Sequence, residues 1–100
     1  MGQPRTKLHE LLQAITDHVY FQPPETVKLE YPCIIYKRDD MDAKHANNVP
    51  YDLTTRYEIM VIARDPETGI PEEVAKLPMC SFNRFFTADG LNHDVYQLFF

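Results

Sequence analysis

The sequence predicts an α+β fold, in which an antiparallel-rich β-sheet carries one long N-terminal helix and one short helix packed on it. Apolar residues near the N-terminus recur with the period of a helix. Residues 53 to 65 alternate between apolar and polar side chains, which is typical of a strand with one face on a core. Two apolar runs around a turn close the chain and predict a hairpin. The predicted order of elements is α-β-β-β-α-β-β.

The long helix is predicted over residues 6 to 19. Thr6 suits its N-cap, because a hydroxyl oxygen accepts hydrogen bonds from the first unpaired backbone N–H groups of a helix. The residues of its apolar face are Leu8, Leu11, Leu12, Ile15 and Val19. One apolar stripe of this kind packs a helix onto a sheet. Residues 19 to 21 are β-prone and predict a short strand that ends before Pro23.

The middle of the chain predicts two strands separated by a long polar loop. Residues 31 to 36 are apolar on both alternating faces, which favours a strand that is covered on both sides. Residues 38 to 50 have neither a helical nor a strand period, so we expect a loop there. A loop of this length in a small domain is often functional.

The second half of the chain predicts a short helix and the closing hairpin. The helix covers residues 71 to 77, because proline fits its first turn and two acidic residues sit at its positive end. The hairpin has strands over residues 79 to 87 and 93 to 100, joined by a turn of residues 88 to 92. Both helices are expected to pack on the sheet.

Length and charge narrow the class of function. The chain has 100 residues, which predicts a single domain over residues 1–100. Its formal net charge is −5, and its ten basic residues are scattered, whereas affinity for nucleic acid comes mainly from clustered Lys and Arg. No apolar run approaches the roughly 20 residues that span a bilayer. We therefore expect a cytosol-like protein without a non-specific phosphate-binding surface for nucleic acid and without a membrane segment.

No motif of a catalytic or phosphate-binding site occurs in the sequence, so we expect neither an enzyme nor a cofactor. Cys33 and Cys80 each lie in an apolar run, which favours buried, reduced thiols over nucleophiles or zinc ligands. His93 and Asp94 are neighbours on a predicted strand. They should therefore point to opposite faces, which makes an acid–base pair unfavourable.

The polar loop supplies the candidate site. We expect it to contact a neighbouring subunit, another protein or a channel through residues Arg38, Asp39, Asp40, Asp42, Lys44, His45, Asn47 and Asn48. The competing interpretation is a divalent metal held by Asp39, Asp40, Asp42 and His45, because carboxylate oxygens and an imidazole are common metal ligands. A solvated loop, or a loop that contacts another subunit, is favoured over the metal site, since four hydrophilic residues in a polar segment often occur without a metal.

Short motifs spaced along nearly the whole chain resemble a known family. The first are residues 19 to 25 (VYFQPPE), residues 31 to 36 (YPCIIY) and the Pro50-Tyr51 end of the polar loop. The later ones are residues 56–57, 61–62, 65–66, 70–71, 77–78, 80–82 and 91–94. In this order they resemble the tail terminator (tail completion), minor capsid-like and head–tail connector proteins of long-tailed bacteriophages and prophages.

The resemblance implies a structural role in the virion neck. Proteins of this kind are small α+β subunits that form a ring, commonly a hexamer, which caps the tail tube and joins it to the head. The implied partners are copies of the chain itself, the tail-tube protein and the head-connector or stopper protein, while DNA passes through without specific binding. The implied location is the neck or tail of the virion, and the host cytoplasm during assembly.

Three alternatives remain at the level of sequence. The first is a head-side connector, stopper or head completion protein, which belongs to the same neck. The second is a small metal-dependent hydrolase built on residues 39 to 45. The third is a monomeric regulatory or adaptor domain of bacterial or phage origin.

Overall fold

A five-stranded sheet with two short helices forms the fold in the computed structural model. The structure describes residues 4–46 and 49–100, and the side chains of residues 42–46 and 49–53 are not among those described. The elements are α1 (Arg5–Gln13), β1 (Val19–Phe21), β2 (Cys33–Ala46), β3 (Val49–Ala63), α2 (Ile70–Ala75), β4 (Cys80–Ala88) and β5 (Leu91–Phe99). The α+β class that the sequence predicts is confirmed.

The strands lie in the spatial order β1-β2-β3-β5-β4. The pairs β2–β3, β3–β5 and β5–β4 are antiparallel, whereas β1 runs parallel to β2. The sheet is therefore mixed, and β1 and β4 are its two edge strands. The chain passes from β1 to β2 through residues 22–32, because a parallel neighbour cannot be reached by a tight turn.

The N-terminal helix is shorter than the sequence predicts. It covers nine residues, from Arg5 to Gln13, and Thr6 lies inside it, so the predicted N-cap is wrong. The N-cap position is Pro4, which makes no side-chain cap hydrogen bond. The predicted helix is too long because Ile15 and Val19, which follow the helix in the chain, also pack against the core and extend its apolar stripe. Periodicity reports burial, and a turn followed by a short strand buries the same positions.

The predicted loop over residues 38 to 50 is wrong, because β2 continues to Ala46 and β3 begins at Val49. The two strands pair from Cys33 opposite Ile62 to Ala46 opposite Val49. The pairing of β3 with β5 starts only at Arg56, so the part of the hairpin beyond it is a two-stranded ribbon. The backbone pairing of β2 with β3 defines this ribbon, and the sequence of the two strands shows no apolar alternation that would predict it.

The core lies between the two helices and one face of the sheet. Its buried residues are Leu8, Leu12, Ile34, Tyr36, Tyr57, Ile59, Val61, Ile70, Val74, Tyr96 and Leu98. They come from both helices and from β2, β3 and β5. Complete burial of one such side chain stabilises the fold by about 1.5–3 kcal/mol relative to exposure. The two helices, though short, are fixed by this burial.

The opposite face of the sheet carries a row of charges across the strands. Lys37 Nζ lies 3.2 Å from Glu58 Oε2, and Arg84 Nη2 lies 3.9 Å from Glu58 Oε1. In the register of the sheet, Glu58 is opposite Lys37 on one side and Gln97 on the other. The side chain of Glu58 is mostly buried, so its two cationic neighbours offset the desolvation of its carboxylate. Through these ion pairs, Glu58 of β3 links β2 to edge strand β4 across the sheet.

Candidate assembly surface

The predicted site residues lie where the β2–β3 hairpin leaves the sheet. Arg38, Asp39 and Asp40 are on β2 and exposed. The backbones of Asp42, Lys44 and His45 pair with those of Thr54, Asp52 and Pro50. The side chains of these three site residues are not among those described, and Asn47 and Asn48 lie outside the described residues. The site residues that are described therefore sit on a strand and not in a loop.

A β-bulge at Asp39 brings two carboxylates to one arginine. The register shifts between Arg38 and Asp40, so Asp39 is the extra residue of β2. Arg56 Nε donates to Asp39 Oδ2 at 3.0 Å, and Arg56 Nη2 lies 3.8 Å from Asp40 Oδ2. Gln97 Nε2 also donates to Asp39 Oδ2, at 3.5 Å. A bulge places two residues opposite one, which the acidic sequence alone does not reveal.

Arg38 is separated from these acids. Its backbone N–H donates to Gln22 Oε1 at 3.2 Å, and its guanidinium carbon lies 6.0 Å from the centre of the Phe21 ring. Both contacts connect it to β1 and to the residue after β1. Arg38 therefore belongs to the β1 edge of the sheet, whereas Asp39 and Asp40 belong to the base of the hairpin.

The described side chains hold no cluster of three or more His, Cys, Asp or Glu residues suited to a metal ion. Of the four residues in the metal alternative, Asp39 and Asp40 contact Arg56, while the side chains of Asp42 and His45 are not among those described. Carboxylates that neutralise an arginine have less free charge to offer a cation.

Edge strand β4 carries three exposed phenylalanines. Phe82 and Phe85 have 53% and 75% of their surface exposed, and Phe86 is exposed as well, while Met79, just before the strand, is 71% exposed. We call Phe82, Phe85 and Phe86 the aromatic edge. The sequence predicts the strand but not the exposure of its phenylalanines, because three phenylalanines in one strand have the composition of a core strand. Their exposure follows from the position of β4 at the end of the strand order.

A second bulge arranges the rings of the aromatic edge. The register shifts between Phe82 and Arg84, so Asn83 is the extra residue of β4. Phe82 and Phe85 consequently lie side by side, with ring centres 6.2 Å apart, and Phe82 packs edge-on against Tyr96 at 5.5 Å. Phe86 instead stacks on His93, with centres 4.5 Å apart. The edge therefore presents aromatic rings on both faces of the sheet.

A groove lies at the opposite edge of the sheet, where residues 22–29 pass over β2. Its volume is about 630 Å³. Its lining residues are Gln22, Pro23, Pro24, Glu25, Val27, Leu29, Ile35, Lys37 and Arg38. We call it the proline groove. Its lining combines proline rings and aliphatic side chains with a few charged groups, which is typical of a surface that accepts an apolar side chain.

The two cysteine side chains are shielded from solvent, Cys33 completely and Cys80 in part. Cys33 is fully buried, and burial raises the pKa of its thiol to about 11. Cys80 is only partly buried, and burial raises the pKa of its thiol as well. Since the thiolate is the reactive form, both residues are poor nucleophiles near neutral pH. The prediction of buried, free thiols is confirmed for Cys33 and holds in part for Cys80.

Comparison with known proteins assigns no family to the chain. No protein-family model matches the chain, and a search of curated proteins finds no match. Within the part of the chain that the structure describes, neither helix is long and apolar enough to cross a membrane.

Proposed function

We propose that this chain is a structural assembly subunit of the neck of a long-tailed bacteriophage or prophage. In this role it is a tail terminator, whose copies form a ring that caps the tail tube and joins it to the head. The support from sequence is the series of short motifs that resembles this family. The structural observation that carries the proposal is the aromatic edge of β4. The role is structural and requires no catalysis and no cofactor.

The aromatic edge suits a protein contact for two physical reasons. Phenylalanine side chains bury about 150–250 Å² each, so the exposed parts of Phe82 and Phe85 offer roughly 250 Å². That is a large share of the roughly 800 Å² that each partner contributes to a specific interface. In addition, β4 pairs on one side only among the described strands, and its outer backbone groups can pair with another chain.

The remaining features fit the partners of a neck protein. The β2–β3 ribbon extends beyond the core, so it can reach the tail-tube protein or the head-connector protein without disturbing the sheet. The net charge of −5 suits a channel that DNA crosses without specific binding, because like charge discourages phosphate contacts. The proposed location is the neck or tail of the virion, and the host cytoplasm during assembly.

The test is the solution mass of the chain by light scattering, with and without tail-tube protein, followed by negative-stain microscopy. We expect rings, or tubes capped at one end, from the wild-type chain and their loss in Phe85→Ser. Leu11→Ser is the matched control, since Leu11 is also an exposed apolar residue but lies on α1. A chain that binds head-connector particles and ignores the tube would be a head-side stopper. A chain that stays monomeric and ignores both would overturn the proposal.

A further inference from the structure

We infer that successive copies of this chain join head to tail, with the aromatic edge of one copy seated in the proline groove of the next. This inference rests on the proposed function, because it specifies the contact that builds the ring. It names a second copy of the chain as the occupant of the groove.

The two surfaces lie at opposite edges of the sheet. The aromatic edge belongs to β4, the last strand in the spatial order, and the proline groove lies beside β1 and β2, at the other end. A contact between two different surfaces of the same subunit is heterologous, and its repetition produces a ring when the rotation closes. Because the two surfaces lie at opposite edges, one copy can use both of them at the same time. A ring built from this single kind of interface therefore needs no third contact surface on the chain.

The side chains of the two surfaces are complementary. Phe85 is three-quarters exposed and projects from a strand with one unpaired side, so it can enter a neighbouring surface without any change of the core. The groove lining offers proline and aliphatic side chains, among them Pro24, Val27 and Ile35. Val27 is itself an exposed apolar residue. Burial of an aromatic ring against such a lining removes apolar surface of both copies from water.

An acidic side chain beside β4 and a basic side chain in the groove can pair between copies. α2 packs beside β4 and carries Glu72 and Glu73 in its first turn; Glu73 pairs with Lys76 at 3.3 Å, whereas Glu72 is exposed. The charged residues in the groove lining are Glu25, Lys37 and Arg38, and Lys37 pairs with Glu58 at 3.2 Å. Among the described side chains, Arg38 forms no ion pair, so its charge is available to a neighbour. Opposite potentials favour the correct docking of two surfaces over a random contact.

A symmetric contact of β4 with a second β4 is less favourable. Antiparallel pairing centred on this strand would bring the two copies of Arg84 close together on one face. Like charges directly opposite each other destabilise a strand pair. Arg84 is the only charged residue of β4, and its acidic partner among the described side chains, Glu58 of β3, lies 3.9 Å away and is shared with Lys37, so the repulsion between two copies of Arg84 is offset only in part.

The test uses two variants, each of which lacks one of the two surfaces. Phe85→Asp removes the aromatic edge, and Val27→Asp places a charge in the groove. Both positions are exposed, so circular dichroism and thermal melting should match those of the wild-type chain. At a concentration at which the wild-type chain assembles, each variant alone is expected to stay monomeric. Their mixture is expected to give a dimer of twice the 11.7 kDa of one chain and nothing larger, because only one intact contact exists between them.

The outcomes separate the inference from the proposed function. Wild-type rings together with a mixture that forms no heterodimer would overturn the inference and leave the proposed function in place. So would Val27→Asp dimers that form without the other variant, since they indicate a β4–β4 contact. A heterodimer in the mixture, combined with wild-type polymers that ignore the tail tube, supports the inference and overturns the proposed function. A wild-type chain that is monomeric with and without the tube overturns both.

Discussion

The hydroxyl oxygen of Tyr36 lies 2.7 Å from Nδ1 of His9, and it also accepts a hydrogen bond from Nη1 of Arg5 at 2.9 Å. This buried tyrosine of β2 is thereby tied to two residues of α1. The guanidinium carbon of Arg5 lies 4.3 Å from the centre of the Phe21 ring, which extends the contact to β1. A helix of nine residues without a side-chain cap depends on such contacts, because short helices are marginal by themselves.

We expect Tyr36→Phe to lower the free energy of unfolding by about 1–3 kcal/mol, because the half-buried side chains of Arg5 and His9 lose the hydroxyl as a hydrogen-bond partner. The ring itself keeps its packing in this variant. Urea denaturation followed by circular dichroism measures the change. The matched control is Tyr20→Phe, whose hydroxyl accepts a longer and exposed hydrogen bond, at 3.4 Å, from the backbone N–H of Glu30. Equal effects of the two substitutions would contradict the role given to Tyr36.

We expect Asp94→Asn to stabilise the chain at neutral pH, by up to about 1 kcal/mol. Burial raises the pKa of the Asp94 carboxyl above its ordinary value of 3.8, against a smaller lowering by His93. An acid with a raised folded-state pKa favours folding while it is protonated, and that contribution is lost as the pH rises through the folded-state pKa. The advantage of the asparagine should therefore vanish at a pH well below 3.8.

Thermal melting of the Asp94→Asn variant at several pH values measures this dependence. Asp17→Asn is the control, since Asp17 is exposed and lies between α1 and β1. A stability difference between Asp94→Asn and the wild-type chain that is the same at acid and neutral pH would contradict the explanation.

Asp39 and Asp40 are expected to differ although they are adjacent. Asp39→Ala should lower the free energy of unfolding by up to about 1 kcal/mol, because its carboxylate accepts hydrogen bonds from both Arg56 and Gln97. Asp40→Ala should change it by less than about 0.5 kcal/mol, since its side chain is more exposed and lies farther from Arg56. Chemical denaturation of both variants under one set of conditions provides the comparison, and a reversed order would refute the bulge geometry as its cause.

The two cysteines should react at different rates with a thiol reagent. In Cys80→Ser, the remaining Cys33 is expected to react only on unfolding, because it is fully buried and the pKa of its thiol is about 11. In Cys33→Ala, the remaining Cys80 is expected to react in the native state, slowly at neutral pH and faster as the pH rises. Absorbance of the released reagent follows both reactions. Rapid native labelling of Cys33 would show that this part of the sheet opens.

The sequence predicts the α+β class because two periodicities are strong, those of residues 53 to 65 and of the N-terminal stripe. It fails over residues 38 to 50, where backbone pairing between β2 and β3 determines the structure and the side chains carry no apolar period. It also overestimates α1, since Ile15 and Val19 contact the core from a turn and a strand. Leu8 and Leu12 are fully buried as the stripe predicts, whereas Leu11 of the same stripe is 43% exposed.

The candidate site depends on contacts between distant residues, which no local pattern contains. Asp39 meets Arg56 and Gln97 only because β2, β3 and β5 are neighbours and because β2 has a bulge. The aromatic edge likewise depends on the strand order, since the same three phenylalanines on a central strand would be core residues. The sequence identifies the polar residues of the hairpin base but not their partners.

Asn83 is one residue more than the pairing of β4 with β5 requires. Residues beyond it, including Phe85, face the opposite way from the direction that their count from Phe82 would give. Removal of this one residue would restore regular alternation and keep Phe85 on the face of Phe82 and Phe86 on the other face, because each residue keeps its partner on β5. Between related chains, a one-residue gap between Phe82 and Phe85 should therefore preserve the exposed aromatic surface, which a polar substitution of Phe85 would remove.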